Sequence, residues 1–247
     1  MELSSMLGAC SSFALAFSLI CQSGIASAAV VVPGENELIE GGSQNNLPFK
    51  DYNGRYQQVY ASSEFGSDPL SISAIAFRIN DLSSGFLDTT FTNMTVNLST
   101  SANTAGSLSS TFADNIGTDA QNVYSGDLIL SGTGGAGPNP FDVTITFQTA
   151  FVYNPAGGDL LLEIFNPNNI SLQEGTAFDA VSDSNVMQRV YDLEGGVSSE
   201  SGTTDDLNFG LVTQFETTTV VPLPAALPLF GAGLLGLIGI SRRKKAA

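Results

Sequence analysis

Phe141-Asp142-Val143-Thr144-Ile145-Thr146-Phe147 alternates apolar and polar side chains without a break. Phe141, Val143, Ile145 and Phe147 fall on one face, and Asp142, Thr144, Thr146 and Gln148 on the other. A period of two marks a strand with one wet face and one buried face. Downstream, Asn154-Pro155-Ala156-Gly157-Gly158 is a turn signal, and Asp159 to Phe165 (DLLLEIF) reads as a strand returning onto 141–153. Upstream, Arg55 to Ala61 and Ile72 to Ile79 are strand-like, the latter with Ile75, Phe77 and Ile79 on one face. Thr92 to Leu98 sets Met94, Val96 and Leu98 against Asn93, Thr95 and Asn97. Val123 to Leu130, Val186 to Leu193 and Asn208 to Phe215 complete the set, with Val30 to Gly42 as a lead-in or first edge strand. Roughly eight to ten strands separated by Gly, Asn, Ser and Pro turns predict an all-β, antiparallel β-sandwich. The alternative for many alternating strands, an outer-membrane barrel, is disfavoured by Thr/Asn/Ser-rich polar faces that lack aromatic girdles.

Composition narrows the chemistry. The 247 residues carry 24 acidic against 8 basic side chains, a net charge of −16. Four of the bases are the C-terminal Arg242, Arg243, Lys244 and Lys245, so the body keeps Lys50, Arg55, Arg78 and Arg189 alone. Such a surface repels nucleic acid and anionic lipid headgroups. There is no His, and the two cysteines, Cys10 and Cys21, both lie near the N-terminus. Triads built on His and zinc sites built on His or Cys are thereby excluded from the body.

Both ends differ from the body. Residues 1–28 read as a secretory signal peptide, with Phe13 to Ile20 as its apolar stretch and Ala26-Ser27-Ala28 as the small-x-small cleavage site. Its first residues depart from the usual pattern, carrying Glu2 and no base. The β-sandwich is expected over 29–216, with Glu216 to Thr219 as a short exposed linker into the last segment, 217–247. There, Leu223 to Ile240 has no charged side chain. As a helix it spans roughly 27 Å, close to a hydrocarbon core of about 30 Å. The span includes Leu229, Phe230, Gly231, Gly233, Leu234, Leu235, Gly236, Leu237 and Ile238, and the basic cluster behind it reads as a stop-transfer signal held on the cytoplasmic side.

The order Val221-Pro222-Leu223-Pro224-Ala225, apolar span, basic end resembles the PEP-CTERM sorting signal in its VPLPA variant. That tripartite tail occurs on exported proteins of Gram-negative bacteria that make exopolysaccharide. The resemblance implies recognition by an exosortase, transient residence in the inner membrane, and a final place at the cell surface or outside the cell. Leu223 stands where Glu often separates the two prolines, which fits the VPLPA subclass. More loosely, Arg55-Tyr56-Gln57-Gln58-Val59-Tyr60, Ile75-Ala76-Phe77-Arg78 and Leu160-Leu161-Leu162-Glu163-Ile164 resemble ectodomains that precede this tail. Those domains look like jelly-roll sandwiches without an established activity.

A few side chains could carry chemistry in the body. Glu163, alternating with apolar neighbours, is a candidate member of a glycosidase carboxylate pair, against an ordinary carboxylate on an outward sheet face. Asp179, Asp183, Asp192 and Glu194, or Asp205 and Asp206, offer hard oxygen ligands for calcium, without a spaced calcium-loop pattern. Tyr52, Tyr56 and Tyr60 beside Arg55 could stack on sugar rings, or sit at core edges. Gly132 to Pro140 (GTGGAGPNP) is no phosphate loop, as it lacks the Gly-Lys-Ser/Thr ending, and reads as flexible. Ser198 to Asp206 reads as polar and mobile. The expectation is a non-enzymatic, exported surface or matrix protein associated with exopolysaccharide, with no resident cofactor. A carbohydrate-binding module and a glycan hydrolase are the alternatives.

Overall fold

The computed structural model describes residues 27–204 and 208–220. In chain order the strands are β1 (Ser27–Val32), β2 (Ser43–Asn45), β3 (Gly54–Tyr60), β4 (Leu70–Phe77), β5 (Phe86–Thr100), β6 (Gln121–Gly132) and β7 (Val143–Tyr153). After them come β8 (Leu160–Asn166), β9 (Phe178–Val181), β10 (Met187–Tyr191), β11 (Thr203–Thr204), β12 (Gly210–Leu211) and β13 (Thr213–Thr219). Pairing between these strands is antiparallel throughout. One sheet runs β1-β13-β4-β7, a second β11-β10-β3-β8-β5-β6, and a small third β12-β9-β2.

The period-two reading holds over Val143–Gln148, while Phe141 and Asp142 lie ahead of β7 and are both half-buried. Val143, Ile145 and Phe147 are buried, while Thr144, Thr146 and Gln148 are exposed. Their apolar face meets that of β5, where Met94, Val96 and Leu98 are buried, in one continuous core. Aromatic rings join the sheets. Tyr60 of β3 meets Phe215 of β13 edge-on at 4.9 Å, and Phe49 packs on Phe77, Phe91 and Phe178, one from each sheet. Edge-to-face pairs of this kind add to the area they bury.

Three expectations are corrected. The strand 159–165 does not return onto 141–153. β7 pairs with β4, whereas β8 pairs with β3 and β5 in the other sheet. The turn between them is a 3-10 turn over Pro155–Gly157, capped by the Asn154 side chain, and it carries the chain across from one sheet to the other. Alternation identifies a strand but not its partner, because both strands offer an apolar face to the same core. The linker expected at 216–219 is also strand, since β13 runs on to Thr219 between β1 and β4. Thr217 is buried and its hydroxyl donates to the Ala28 carbonyl at 2.9 Å. Third, Gly132–Pro140 is pinned. Asn139 is buried with its amide nitrogen 3.1–3.3 Å from the carbonyls of Ile79, Asn80 and Gly135, and a Cβ at Gly134 would overlap the Gly85 backbone nitrogen.

Of the cleavage site, Ala28 lies in β1, paired with Thr217, and Ala26 is outside the described residues. The sorting motif, apolar span and basic end, 221–247, lie outside them too, as do Asp205 and Asp206. Among the described residues no helix is long and apolar enough to cross a membrane.

Candidate functional site

Strand pleating puts Arg55 and Gln57 of β3, Phe165 and Glu163 of β8, and Thr95 and Asn97 of β5 on one face of the six-stranded sheet. Strand register turns them into two cross-strand rows. The first is Arg55–Phe165–Thr95–Ser125 and the second Gln57–Glu163–Asn97–Asn122. Directly opposed side chains on one sheet face lie within contact distance.

The second row is a continuous hydrogen-bond chain, joined by Arg55 from the first. Arg55 donates through Nε to Glu163 Oε1 at 2.8 Å and approaches the same oxygen through its NH2 nitrogen at 2.7 Å. Gln57 Nε2 donates to that oxygen at 2.7 Å, and Asn97 Nδ2 donates to Oε2 at 3.0 Å. Asn122 Nδ2 in turn donates to Asn97 Oδ1 at 3.0 Å. Asn115, a fully buried residue of the 101–116 segment that covers this sheet face, donates to Gln57 Oε1 at 3.0 Å. That segment shields the inner end of the row through Phe112 and Leu108, which pack with Val59, Leu161 and Val190.

Glu163 is therefore on an outward sheet face yet only 4% exposed, covered by a segment far away in sequence. Both its oxygens are occupied by donors, one of them cationic. An acceptor engaged in this way orients its neighbours, and neither oxygen is turned to the groove free of a protein donor.

At its open end the network meets solvent in a groove of about 480 Å³, lined by Asn93, Thr95, Asn97, Phe165, Pro167 and Val197. Asn93 sits at a β-bulge in β5 with φ 54°, its N–H held by Asp127 Oδ1 at 2.9 Å. Bulges re-aim side chains, and asparagine tolerates this backbone region better than most residues. No lining residue is charged.

The arginines explain the surface. Arg55 stacks on Phe112 and Phe165, Arg78 on Phe141, and Arg189 on Tyr191 and Phe209, all with guanidinium carbons 4.2–5.0 Å from the ring centroids. Arg78 and Arg189 are buried, and the Arg55 side chain is 15% exposed. The body's positive charge is thus largely internal, which leaves the exterior to the carboxylates.

No family model, curated protein or solved structure matches this chain.

The remaining sequence candidates are dispersed. Tyr52, Tyr56 and Tyr60 are each at most 1% exposed, and burial holds the Tyr52 and Tyr60 phenols well above their usual range. Tyr56 donates to Gln58 inside the fold. The tyrosine platform is overturned, because the alternation within β3 is masked by cover on both faces of the sheet. Asp179 pairs with Arg78 at 2.7 Å and accepts from Gly41 N at 2.9 Å. Its carboxyl is raised to about 6 by burial, a shift opposed by those two donors. Asp192 caps its own turn, accepting from the N–H groups of Glu194 and Gly195. Among the described residues no three acidic, His or Cys side chains converge as a metal site would require. Sequence reading singled out Glu163 but missed the groove, whose Asn93, Thr95 and Asn97 looked like an ordinary wet strand face.

Proposed function

We propose that this protein is an exported, non-enzymatic surface or extracellular-matrix protein. Its tail, 217–247, is read and cut by an exosortase, and the body, a jelly-roll-like β-sandwich over 29–216, is retained with exopolysaccharide. The observation that carries the reading is the tail itself: Val221-Pro222-Leu223-Pro224-Ala225, an apolar span, then Arg242, Arg243, Lys244 and Lys245.

Two features of the body support it. Ala29 and Glu216, the first and last residues of that body, are paired neighbours, so the leader side and the tail side of the chain meet at one edge of the four-stranded sheet. Both ends would face one membrane, with the rest of the body beyond it. Internal arginines leave an anionic exterior, suited to solubility outside the cell and to no contact with nucleic acid. The engaged Glu163 supports a binding or structural role over hydrolysis. The reading uses no bound cofactor.

The test replaces Pro222 and Pro224 by Ala and follows the size and location of the protein in a strain with an active exosortase. The unmodified chain should be shortened and leave the inner membrane, and the variant should stay full length within it. Identical processing of the two would leave a plain membrane anchor.

A further inference from the structure

We propose that the groove lined by Asn93, Thr95, Asn97, Phe165, Pro167 and Val197 binds a neutral oligosaccharide. This deepens the preceding reading by naming where and what the body holds, and it rests on that reading only for the biological source of the sugar.

Four observations select this class of ligand. First, the lining joins one aromatic ring to two carboxamides and a hydroxyl. Sugars present apolar C–H faces and rims of hydroxyls that both donate and accept. An aromatic ring suits the face, and amides with a free donor and acceptor suit the rim. Second, the groove carries no charged side chain in a chain of net charge −16. Arg78 and Arg189 are turned inward onto rings, and Arg55, which stacks on one face of Phe165, directs its charge at Glu163. An anionic ligand would meet a repulsive exterior whose nearest cation, Arg55, is already paired with Glu163.

Third, Asn97 is held in place before any ligand arrives. Its Nδ2 donates to Glu163, itself fixed by Arg55 and the fully buried Gln57, and its Oδ1 accepts from Asn122. One N–H and one lone pair of Asn97 remain for a hydroxyl. A buried ion pair set directly behind an outward amide fixes that amide's direction, and ligand binding then costs little ordering entropy. Fourth, the site is elongated. Asn93, Thr95 and Asn97 follow one strand, a rise of roughly 13 Å from first to last. Phe165 stands beside Thr95 on the neighbouring strand. That shape fits several linked sugar units better than one.

The chain contains no tryptophan, so Phe165→Trp places a sole tryptophan in the groove, which can be excited selectively over the six tyrosines. The full chain, in a zwitterionic detergent that contains no sugar, is titrated with cellohexaose, laminarihexaose, maltohexaose and, as the anionic arm, oligogalacturonate. Binding of at least one neutral hexaose should shift the emission of the Phe165→Trp protein. By calorimetry on proteins with otherwise native sequence, Phe165→Ala, Asn93→Ala and Thr95→Val should each weaken that binding at least tenfold. Val152→Ala, on the other sheet and 60% exposed, should leave it unchanged. Asn93 and Thr95 are not buried, so their variants keep the test valid if Phe165→Ala fails to fold.

Absence of binding to every neutral hexaose at millimolar concentration would overturn the inference. Binding unaffected by the three groove variants, or tighter binding of oligogalacturonate, would do the same. These outcomes are independent of the tail. A groove that binds sugar on a protein that is never processed refutes the sorting reading alone.

Discussion

Replacing Arg78 by Ala should be among the most damaging single changes in the body, by an amount that depends on pH. Arg78 and Asp179 have side-chain exposures of 1% and 0%, and their contact is 2.7 Å. The guanidinium also donates to the carbonyls of Glu37 and Ile39 and stacks on Phe141, tying the 37–41 segment to the end of β4. Truncation leaves a buried carboxylate without its cation, which costs about 3–5 kcal/mol. For a domain of this size about 4 kcal/mol corresponds to a fall in Tm of about 8–16 °C. The pH dependence follows from Asp179. Burial lifts its carboxyl to about 6 from an ordinary 3.8, and neighbouring Glu40 pushes the same way. A raised folded-state value means that the group favours folding below about pH 4, a contribution lost as pH rises through 6. Removing Arg78 lifts the carboxyl further, so protonation relieves the variant more at pH 5 than at pH 8. Urea unfolding followed by far-UV circular dichroism at both pH values measures this. The loss should be larger at pH 8, and Arg78→Ala with Asp179→Asn should recover part of it. A loss under about 1 kcal/mol, or one equal at the two pH values, would refute the account of a desolvated, Arg-dependent carboxylate.

Other substitutions probe separate links. Glu163→Gln removes the charge that Arg55 pairs with and sets an amide NH2 against donors now bound to one of the two oxygens, and should lower stability by about 2–3 kcal/mol in thermal melts, less than a fully enclosed pair because Arg55 is partly wet. Ile145→Ala, at 0% exposure, should cost about 2–5 kcal/mol by urea unfolding, while Thr144→Ala next to it should stay within about 0.5 kcal/mol. In the unprocessed chain Thr217→Val removes the hydroxyl that bonds Ala28 and should cost about 1 kcal/mol, with faster amide exchange along β1 as a second readout. Gly134→Ala forces the 132–140 loop off Gly85 and should lower the melting temperature, whereas the same change in a mobile loop would not.

Much of the fold was legible because burial is a local demand. A strand with one wet face must alternate, and β3, β4, β5, β6, β7, β8 and β10 all coincide with stretches identifiable from period and turn residues. The short β2, β9 and β11 carry too few residues for a period to register, and β1 was legible only as a lead-in. Pairing escaped local reading. Asn154–Gly158 looks like a hairpin turn, and only competition for partners across the core sends β8 to β3 and β5. The 216–219 segment looks like a polar linker, since Thr fits an exposed tether and a half-covered strand equally well.

The sequence by itself determined the class of the body, its acidity, the exclusion of His- and Cys-based chemistry, and the tail that motivates the sorting reading. Each of these is a property of composition or of contiguous residues. Tertiary structure alone decided where charge and polarity end up. Glu163 became an anchor because the 101–116 segment folds over its sheet face. The three arginines turned inward because rings from distant strands converge on them. Asn93, Thr95 and Asn97 became the wall of a groove because Phe165 of another strand stands beside them. Long-range packing sets the surroundings of each group, and those surroundings decide whether a polar side chain is solvated, buried in a network or left open to a ligand.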